Sequence, residues 1–281
     1  MPGIRVVTDS ACDLPAAEVE RNGIVVVPLD IRLGELGPDV MTPLSPEEFW
    51  AKCAESNVLP ETSAPSPGAF RDAFAAAADG GAEAVVCVTI SSALSATYQA
   101  ACTGAKEVAD RIDVHVVDSR SVSMGEGLLV LEAARRAEAD GAKGTDIAEA
   151  VRGLVDKIRV YGTLDTLENL KRGGRIGAAQ ALLGSLLSIK PVIEVRDGVV
   201  ESESKQRTRS RSLQYLVDKV KEAGGEVTHV SIMHAMAGDL DTYKKLMAEV
   251  WPADKTIVTT IGPVIGTHAG AGAAGVAFQL A

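Results

Sequence analysis

Three apolar runs in the first half of the chain end in small polar residues. They lead into Asp9-Ser10, Ser91-Ser92 and Asp118-Ser119. Hydroxyls and carboxylates at such places are the raw material of a ligand crevice, because open α/β sheets bind ligands outside the carboxyl ends of their strands. The same residue types cap the helices that follow, and the sequence leaves both uses open. The run Ser91-Ser92-Ala93-Leu94-Ser95-Ala96-Thr97-Tyr98 carries more hydroxyls than a cap needs. With the free N–H groups of a helix start, it has the makings of an anion site. Thr62-Ser63-Ala64-Pro65-Ser66-Pro67-Gly68 adds hydroxyls on a proline-stiffened loop. Near the C-terminus, glycines stand on both sides of His268 in Gly262-Pro263-Val264-Ile265-Gly266-Thr267-His268-Ala269-Gly270-Ala271-Gly272. Glycines there permit close approach of backbone to a ligand.

Other chemistries fail on spacing. Gly270-Ala271-Gly272-Ala273-Ala274-Gly275 matches GxGxxG literally, but only six residues follow it. A dinucleotide fingerprint needs a βαβ unit and a distal acid. There is no Walker-A sequence and no serine in GxSxG, so the strand–turn–helix elbow of α/β-hydrolases is missing. His115, His229, His234 and His268 lack zinc-ligand spacing. No metal and no cofactor are expected.

The elements that must position these residues alternate in the first half. Strand-like runs cover 4–8, 24–29, 84–90 and 114–118, and helix-like segments cover 15–21, 46–55, 67–78, 95–109, 124–139 and 146–157. Pro15, Pro46 and Pro67 sit near helix starts, where the missing N–H costs least. The βαβα order predicts a parallel sheet covered by helices. In the second half, strands are predicted at 160–163, 190–195, 199–207, 228–233, 256–260 and 265–268, and helices at 178–187, 210–223 and 240–250. Arg196-Asp197-Gly198 reads as a hairpin turn, since Asp-Gly accepts positive φ. The reading is an α/β protein of two domains. An N-terminal parallel-sheet domain spans 1–160, and a C-terminal mixed-sheet α+β domain spans 161–281.

Composition excludes several function classes. The 281 residues carry 28 Lys+Arg against 38 Asp+Glu, a formal net charge of -10, and 46% are hydrophobic. That balance argues against general nucleic-acid binding, which neutralises phosphates. Four Phe, four Tyr and two Trp offer little base-stacking surface but leave an aliphatic ligand open. No stretch approaches the roughly 18 apolar residues of a membrane helix, so no stable membrane insertion is expected. The first residues lack a signal-peptide core, and Cys12, Cys53, Cys87 and Cys102 form no CxxC pair. A reduced, cytoplasmic location is expected. Charge is uneven: the segment 171–211 holds nine basic and four acidic residues. It is either a solvated face or a docking patch for an acidic partner or a phosphate.

Taken together, the motifs resemble the DegV-like proteins, which include the fatty-acid-binding subunits of bacterial fatty acid kinase. The matching runs are Thr8-Asp9-Ser10-Ala11-Cys12-Asp13-Leu14, the Thr62–Gly68 segment (62–68), Ile90 to Tyr98, and Val117-Asp118-Ser119. They continue with Thr166-Leu167-Glu168-Asn169-Leu170-Lys171-Arg172-Gly173-Gly174-Arg175-Ile176 and the segment 262–272. The resemblance implies two α/β domains with a long-chain fatty acid in an interdomain tunnel. It implies that Thr62 and Ser95, with Ser63 and Ser92 beside them, bind the carboxylate. His268 would reach it directly or through water, and Arg172 would lie near the exposed head group or a partner. It further implies a separate ATP-dependent kinase subunit that turns the bound acid into an acyl phosphate, since this chain has no nucleotide motif of its own.

Two positions depart from the family pattern. Ala96 replaces a usual Gly, and Ala271 replaces a usual Pro. A methyl at Ala96 would crowd the carboxylate if that position required positive φ. The implied energetics are coherent. About 14 buried methylenes at roughly 0.8 kcal/mol each give about 11 kcal/mol gross, before association costs of several kcal/mol. The chain then supplies affinity and the hydroxyls supply orientation. The leucine-rich run 178–187 is a candidate tunnel wall or lid. Two alternatives stay open. One is a stand-alone acyl hydrolase with Ser95 or Ser92 as nucleophile, His268 as base and Asp9 or Asp118 as orienter. The other is a lipid-sensing regulator.

Overall fold

The computed structural model describes residues 3–33, 45–55, 60–181 and 189–281. The chain divides into two compact units, Met1–Asp30 with Thr62–Asp156, and Ile31–Glu61 with Lys157–Ala281. A single cut near 160 therefore describes only one of the three crossings. The segment 31–61 packs with the second unit although it precedes most of the first. Nothing in local patterning marks that excursion, because packing partners, not periodicity, define a unit.

The first unit is built on a four-stranded parallel sheet. Its strands are β1 (Ile4–Asp9), β2 (Val25–Val27), β5 (Ala84–Thr89) and β6 (Asp113–Asp118), in the order β2-β1-β5-β6. All three pairings are parallel. The expected strand at 24–29 shortens to three residues. β5 is buried along its whole length, which explains why Ala84 to Thr89 reads as a continuous apolar run. Side chains alternate across a strand. Val85 and Cys87 join Phe70 and Phe74 of α3 (Pro67–Asp79) and Ala100 and Ala101 of α4 (Thr97–Glu107) in one core. The other face carries α5 (Met124–Ala137) and α6 (Gly144–Val155), which pack on β1, β5 and β6. Ser66 caps α3 by accepting from Ala69 N at 3.2 Å, with Pro67 in the first turn. A short α1 (Ala16–Arg21) leads into β2.

The second unit is built on a six-stranded mixed sheet. The strands are β7 (Ile158–Thr163), β8 (Lys190–Arg196), β9 (Val199–Gln206), β10 (Val227–His234), β11 (Thr256–Thr260) and β12 (Ala274–Leu280). They run in the order β11-β10-β12-β7-β8-β9. Only β10 and β11 pair in parallel. β8 and β9 form the expected hairpin, with Asp197 and Gly198 both at positive φ (53° and 83°). That is the backbone a two-residue turn demands. α8 (Arg209–Ala223) and α9 (Leu240–Ala248) cover one face through Leu213, Leu216, Val217, Tyr243 and Met247. α2 (Pro46–Glu55), α7 (Glu168–Arg172) and α10 (Pro263–Ala269) complete the unit. Two short strands, β3 (Asp30–Arg32) and β4 (Glu61–Ser63), pair where the chain leaves the first unit and returns to it.

Two expectations change. The predicted strand at 265–268 is the helix α10. Pro263 presets the helical φ at its first position and removes a donor the sheet would need. The sheet position falls instead to β12, which places the small Ala274, Gly275 and Ala277 and the core residue Phe278 in the middle of the sheet. The predicted helix at 178–187 is a 3-10 turn through residue 181. The rest of that candidate tunnel wall lies outside the described residues.

Candidate functional site

The first unit ties its strand ends together. At the end of β5, Ser91 N donates to the Ser121 carbonyl at 2.9 Å, and the Ser91 carbonyl accepts from Leu94 N and Ser95 N at 3.0 and 3.1 Å. A tight loop, 91–95, results. Ser92 is exposed. Its N–H donates to Asp118 Oδ1 at 3.1 Å and its hydroxyl donates to Asp118 Oδ2. Ser95 is half-buried. Its Oγ lies 2.8 Å from Thr97 Oγ1 and accepts from Thr97 N at 3.3 Å, two residues before the start of α4. Asp118 also accepts from Arg120 N at 3.0 Å. The hydroxyl loop and the end of β6 are thus one hydrogen-bonded assembly, with Ser92 and Ser95 beside the first turn of an 11-residue helix. That turn offers donors and a positive dipole end to an anion.

Thr62 and Ser63 lie on β4. Thr62 is half-buried and Ser63 exposed, and Ser63 Oγ donates to Asp30 Oδ2 at 3.4 Å. Ser66, the third hydroxyl of that loop, is occupied as the cap of α3.

In the second unit, His268 stands in the last turn of α10, which packs against α7 and α2. Glycines let α10 seat this closely. A Cβ at Gly266 would come 2.7 Å from Trp50 Cζ2 and 2.9 Å from Phe49 Cε1. Trp50 Nε1 donates to the Ile261 carbonyl at 3.1 Å, fixing the strand-to-helix turn before α10. Asn169 Nδ2 donates to the Thr267 carbonyl at 3.2 Å, and Gly173 lies against the His268 ring. Burial first, and the Arg175 guanidinium second, push the His268 imidazole down to about 4. It is therefore neutral at pH 7, with both donor and acceptor character. Arg172 is exposed, and its Nε donates to Glu168 Oε1 at 2.9 Å.

Asp9 departs from the crevice expectation. It is fully buried, with Oδ1 accepting from Ala11 N at 2.9 Å and Oδ2 from Ile90 N at 2.8 Å. Its neighbour Ser10 accepts from Leu29 N at 2.9 Å. The Asp9-Ser10 pair therefore knits strand ends rather than facing a ligand. Asp9 is also unsuited as the orienter of a catalytic triad, since both of its oxygens are engaged by backbone.

The family model described as "Uncharacterised protein, DegV family" matches residues 3–280. This chain belongs to the DegV family. A DegV domain-containing protein of Streptomyces coelicolor is 35% identical over 276 residues, covering 97% of each chain. Among solved structures, a DegV family protein from Thermus thermophilus described for its fatty acid binding superposes with a TM-score of 0.87. It is 31% identical, with 99% of each chain covered. A protein from Eubacterium ventriosum described as binding stearic acid gives a TM-score of 0.85 at 26% identity, covering 99% of this chain and 98% of its own.

In this DegV-family chain the departure at Ala96 is free of backbone strain. Its φ is -74° and its ψ 3°, open to any residue. Ala271 stands between Gly270 and Gly272, both at positive φ (79° and 78°), so glycine rather than proline shapes that turn. The basic excess of 171–211 is smaller in three dimensions than along the chain. Arg172, Lys190 and Arg209 pair with Glu168, Asp165 and Asp239, acids that lie outside the segment. Sequence reasoning missed Asn169, Gly173, Phe49 and Trp50 as supports of His268. Asn169 and Gly173 sit in a run singled out for its arginines, and Phe49-Trp50 gave only the signal of an amphipathic helix. Among the described residues, no helix is long and apolar enough to cross a membrane.

Proposed function

We propose that this protein binds a long-chain fatty acid and presents its carboxylate to an ATP-dependent kinase subunit for conversion to an acyl phosphate. The observation that carries the reading is the hydroxyl loop at the end of β5, in a fold that matches relatives described as fatty acid binding across nearly the whole chain. In this reading Thr62, Ser63, Ser92 and Ser95 bind the carboxylate. A neutral His268 donates to it directly or through water. Arg172 serves the exposed head group or the partner, the acyl tail supplies most of the affinity, and the protein acts in the cytoplasm without a cofactor. The hydrolase alternative loses Asp9 as an orienter for the reason given above.

Native mass spectrometry of the freshly purified protein, followed by organic extraction, tests the ligand. A bound fatty acid supports the reading. A protein that is empty and takes up no added fatty acid refutes it. Mixing the protein with a candidate kinase from its own genome, ATP and a fatty acid tests the partner, with acyl phosphate as the product. Arg172→Ala is expected to spare binding and to impair transfer. Equal loss of both would place Arg172 within the binding site. A pull-down with and without fatty acid separates a carrier from a lipid-sensing regulator by the identity of the partner.

A further inference from the structure

The first unit contains a pair of buried acids that the binding reading does not use. Glu126, in the first turn of α5, and Asp9, at the end of β1, are both fully buried, and their carboxyl groups are neighbours. Thr8 Oγ1 donates to Glu126 Oε1 at 2.9 Å. No donor faces Glu126 Oε2. Two neighbouring carboxylates in a dry interior do not both ionise, so one of them keeps a proton.

The surroundings decide which group carries that proton. Asp9 accepts two backbone N–H groups, from Ala11 and Ile90, and such bonds favour the ionised form. Glu126 accepts one neutral hydroxyl. The start of α5 favours a charged Glu126, but burial beside Asp9 and Asp13 opposes it more strongly. The other titratable groups facing the pair are Cys12, Asp13 and Cys87, all acids. Burial pushes Asp9 up to about 6 and Glu126 well above the usual carboxyl range.

We propose that Glu126 keeps its proton at neutral pH and donates it to Asp9, and that the Asp9 carboxylate so held is the positioning residue of the 91–95 hydroxyl loop. The link is the Ile90 amide. It bonds to Asp9 one residue past the end of β5 and one position before Ser91. Its bearing on fatty-acid affinity rests on the function proposed above.

The sign of the pH dependence follows from the proton. The folded state holds a proton on Glu126 that the unfolded chain releases above about 4.5, so stability falls as pH rises. Asp9 adds to that fall only up to about 6. Glutamine at 126 keeps a donor towards Asp9 and cannot ionise. Denaturant unfolding between pH 6.5 and 7.5 is therefore expected to show the wild-type folding constant falling about tenfold more per pH unit than that of Glu126→Gln. Asp9→Asn turns an amide donor towards one of two backbone donors. It is expected to speed hydrogen exchange at the amides of 90–95 and to weaken binding of a fluorescent fatty acid at least tenfold. Equal pH slopes for wild type and Glu126→Gln would overturn the proposal. So would an Asp9→Asn protein with unchanged exchange at 90–95, or one that is tolerated while Glu126→Gln loosens the loop, which would put the proton on Asp9. If Asp9→Asn does not fold, the slope comparison decides alone. The unfolding and exchange arms need no ligand, so a wild type that binds no fatty acid refutes the function without touching them.

Discussion

Replacing Gly173 by alanine tests whether His268 is held in place by what it packs against. Gly173 has φ -71° and ψ -8°, an ordinary helical backbone, so alanine adds no strain of its own. The added Cβ would fall inside the van der Waals envelope of His268 Nδ1 and 2.7 Å from its Cε1, with the Asn169 carbonyl at 3.2 Å. To reach ordinary contact the imidazole must retreat by roughly 1 Å. On its other sides it is held by α10, whose Gly266 is already seated on Phe49 and Trp50. A retreat of that size breaks a hydrogen bond from the ring to a carboxylate. Such a bond to a charged group contributes about 1.5–3 kcal/mol, or roughly 10–150-fold in Kd. Gly174→Ala is the control. Its site has open space around it but φ is +70°, so it is expected to cost about 1 kcal/mol of stability and leave affinity alone. The assay is titration with a fluorescent fatty acid alongside thermal melts. Full affinity in Gly173→Ala would show that His268 does not touch the carboxylate. Equal losses in both variants would show a general disturbance of α7.

Thr62→Ala and Ser95→Ala are each expected to weaken fatty-acid binding by about 1.5–3 kcal/mol. Isothermal titration checks this, and two unchanged affinities would place the carboxylate elsewhere. His268 is neutral in the fold, with its imidazole pushed down from 6.5 to about 4. Its contribution to stability is therefore present above 6.5 and is lost as pH falls through 4. His268→Gln should be less acid-sensitive than wild type by about 1–3 kcal/mol across that window, read from denaturant midpoints. Gly266→Ala should overpack the seat of α10 against Trp50 and Phe49 and cost about 1–3 kcal/mol. A Tm lowered by about 2–10 °C would show it, and an unchanged Tm would mean that α2 yields freely.

The two halves of the chain differ in how much of them was legible. In the first unit the strands and helices follow the apolar runs, most plainly at β5, which is buried along its whole length and therefore reads as a near-continuous apolar run. The Asp-Gly hairpin of the second unit was equally plain, since its turn needs positive φ at two adjacent residues. The glycine-rich end was not. Four residues such as Ile265-Gly266-Thr267-His268 are too few for periodicity to tell a strand from a helix, and 265–268 became helix because Pro263 starts one. The small Ala274, Gly275 and Ala277 concealed β12, which lies between β10 and β7 in the middle of the sheet.

The candidate site divides in the same way. Residue types and order along the chain determined the hydroxyl loop, the threonine-serine pair at 62–63, the Gly-His segment and the family they resemble, while the strand β4 that carries the pair reads as a loop in the sequence. Tertiary structure alone decided which polar groups are spent within the fold. It turned Asp9 inward onto Ala11, Ile90 and Glu126 and paired three of the basic residues with distant acids. It also brought Asn169 and Gly173 to His268 across roughly a hundred residues of chain. The physical reason is that a hydrogen bond or a close contact depends on separations of a few ångströms, and those are set by packing among residues far apart in the sequence.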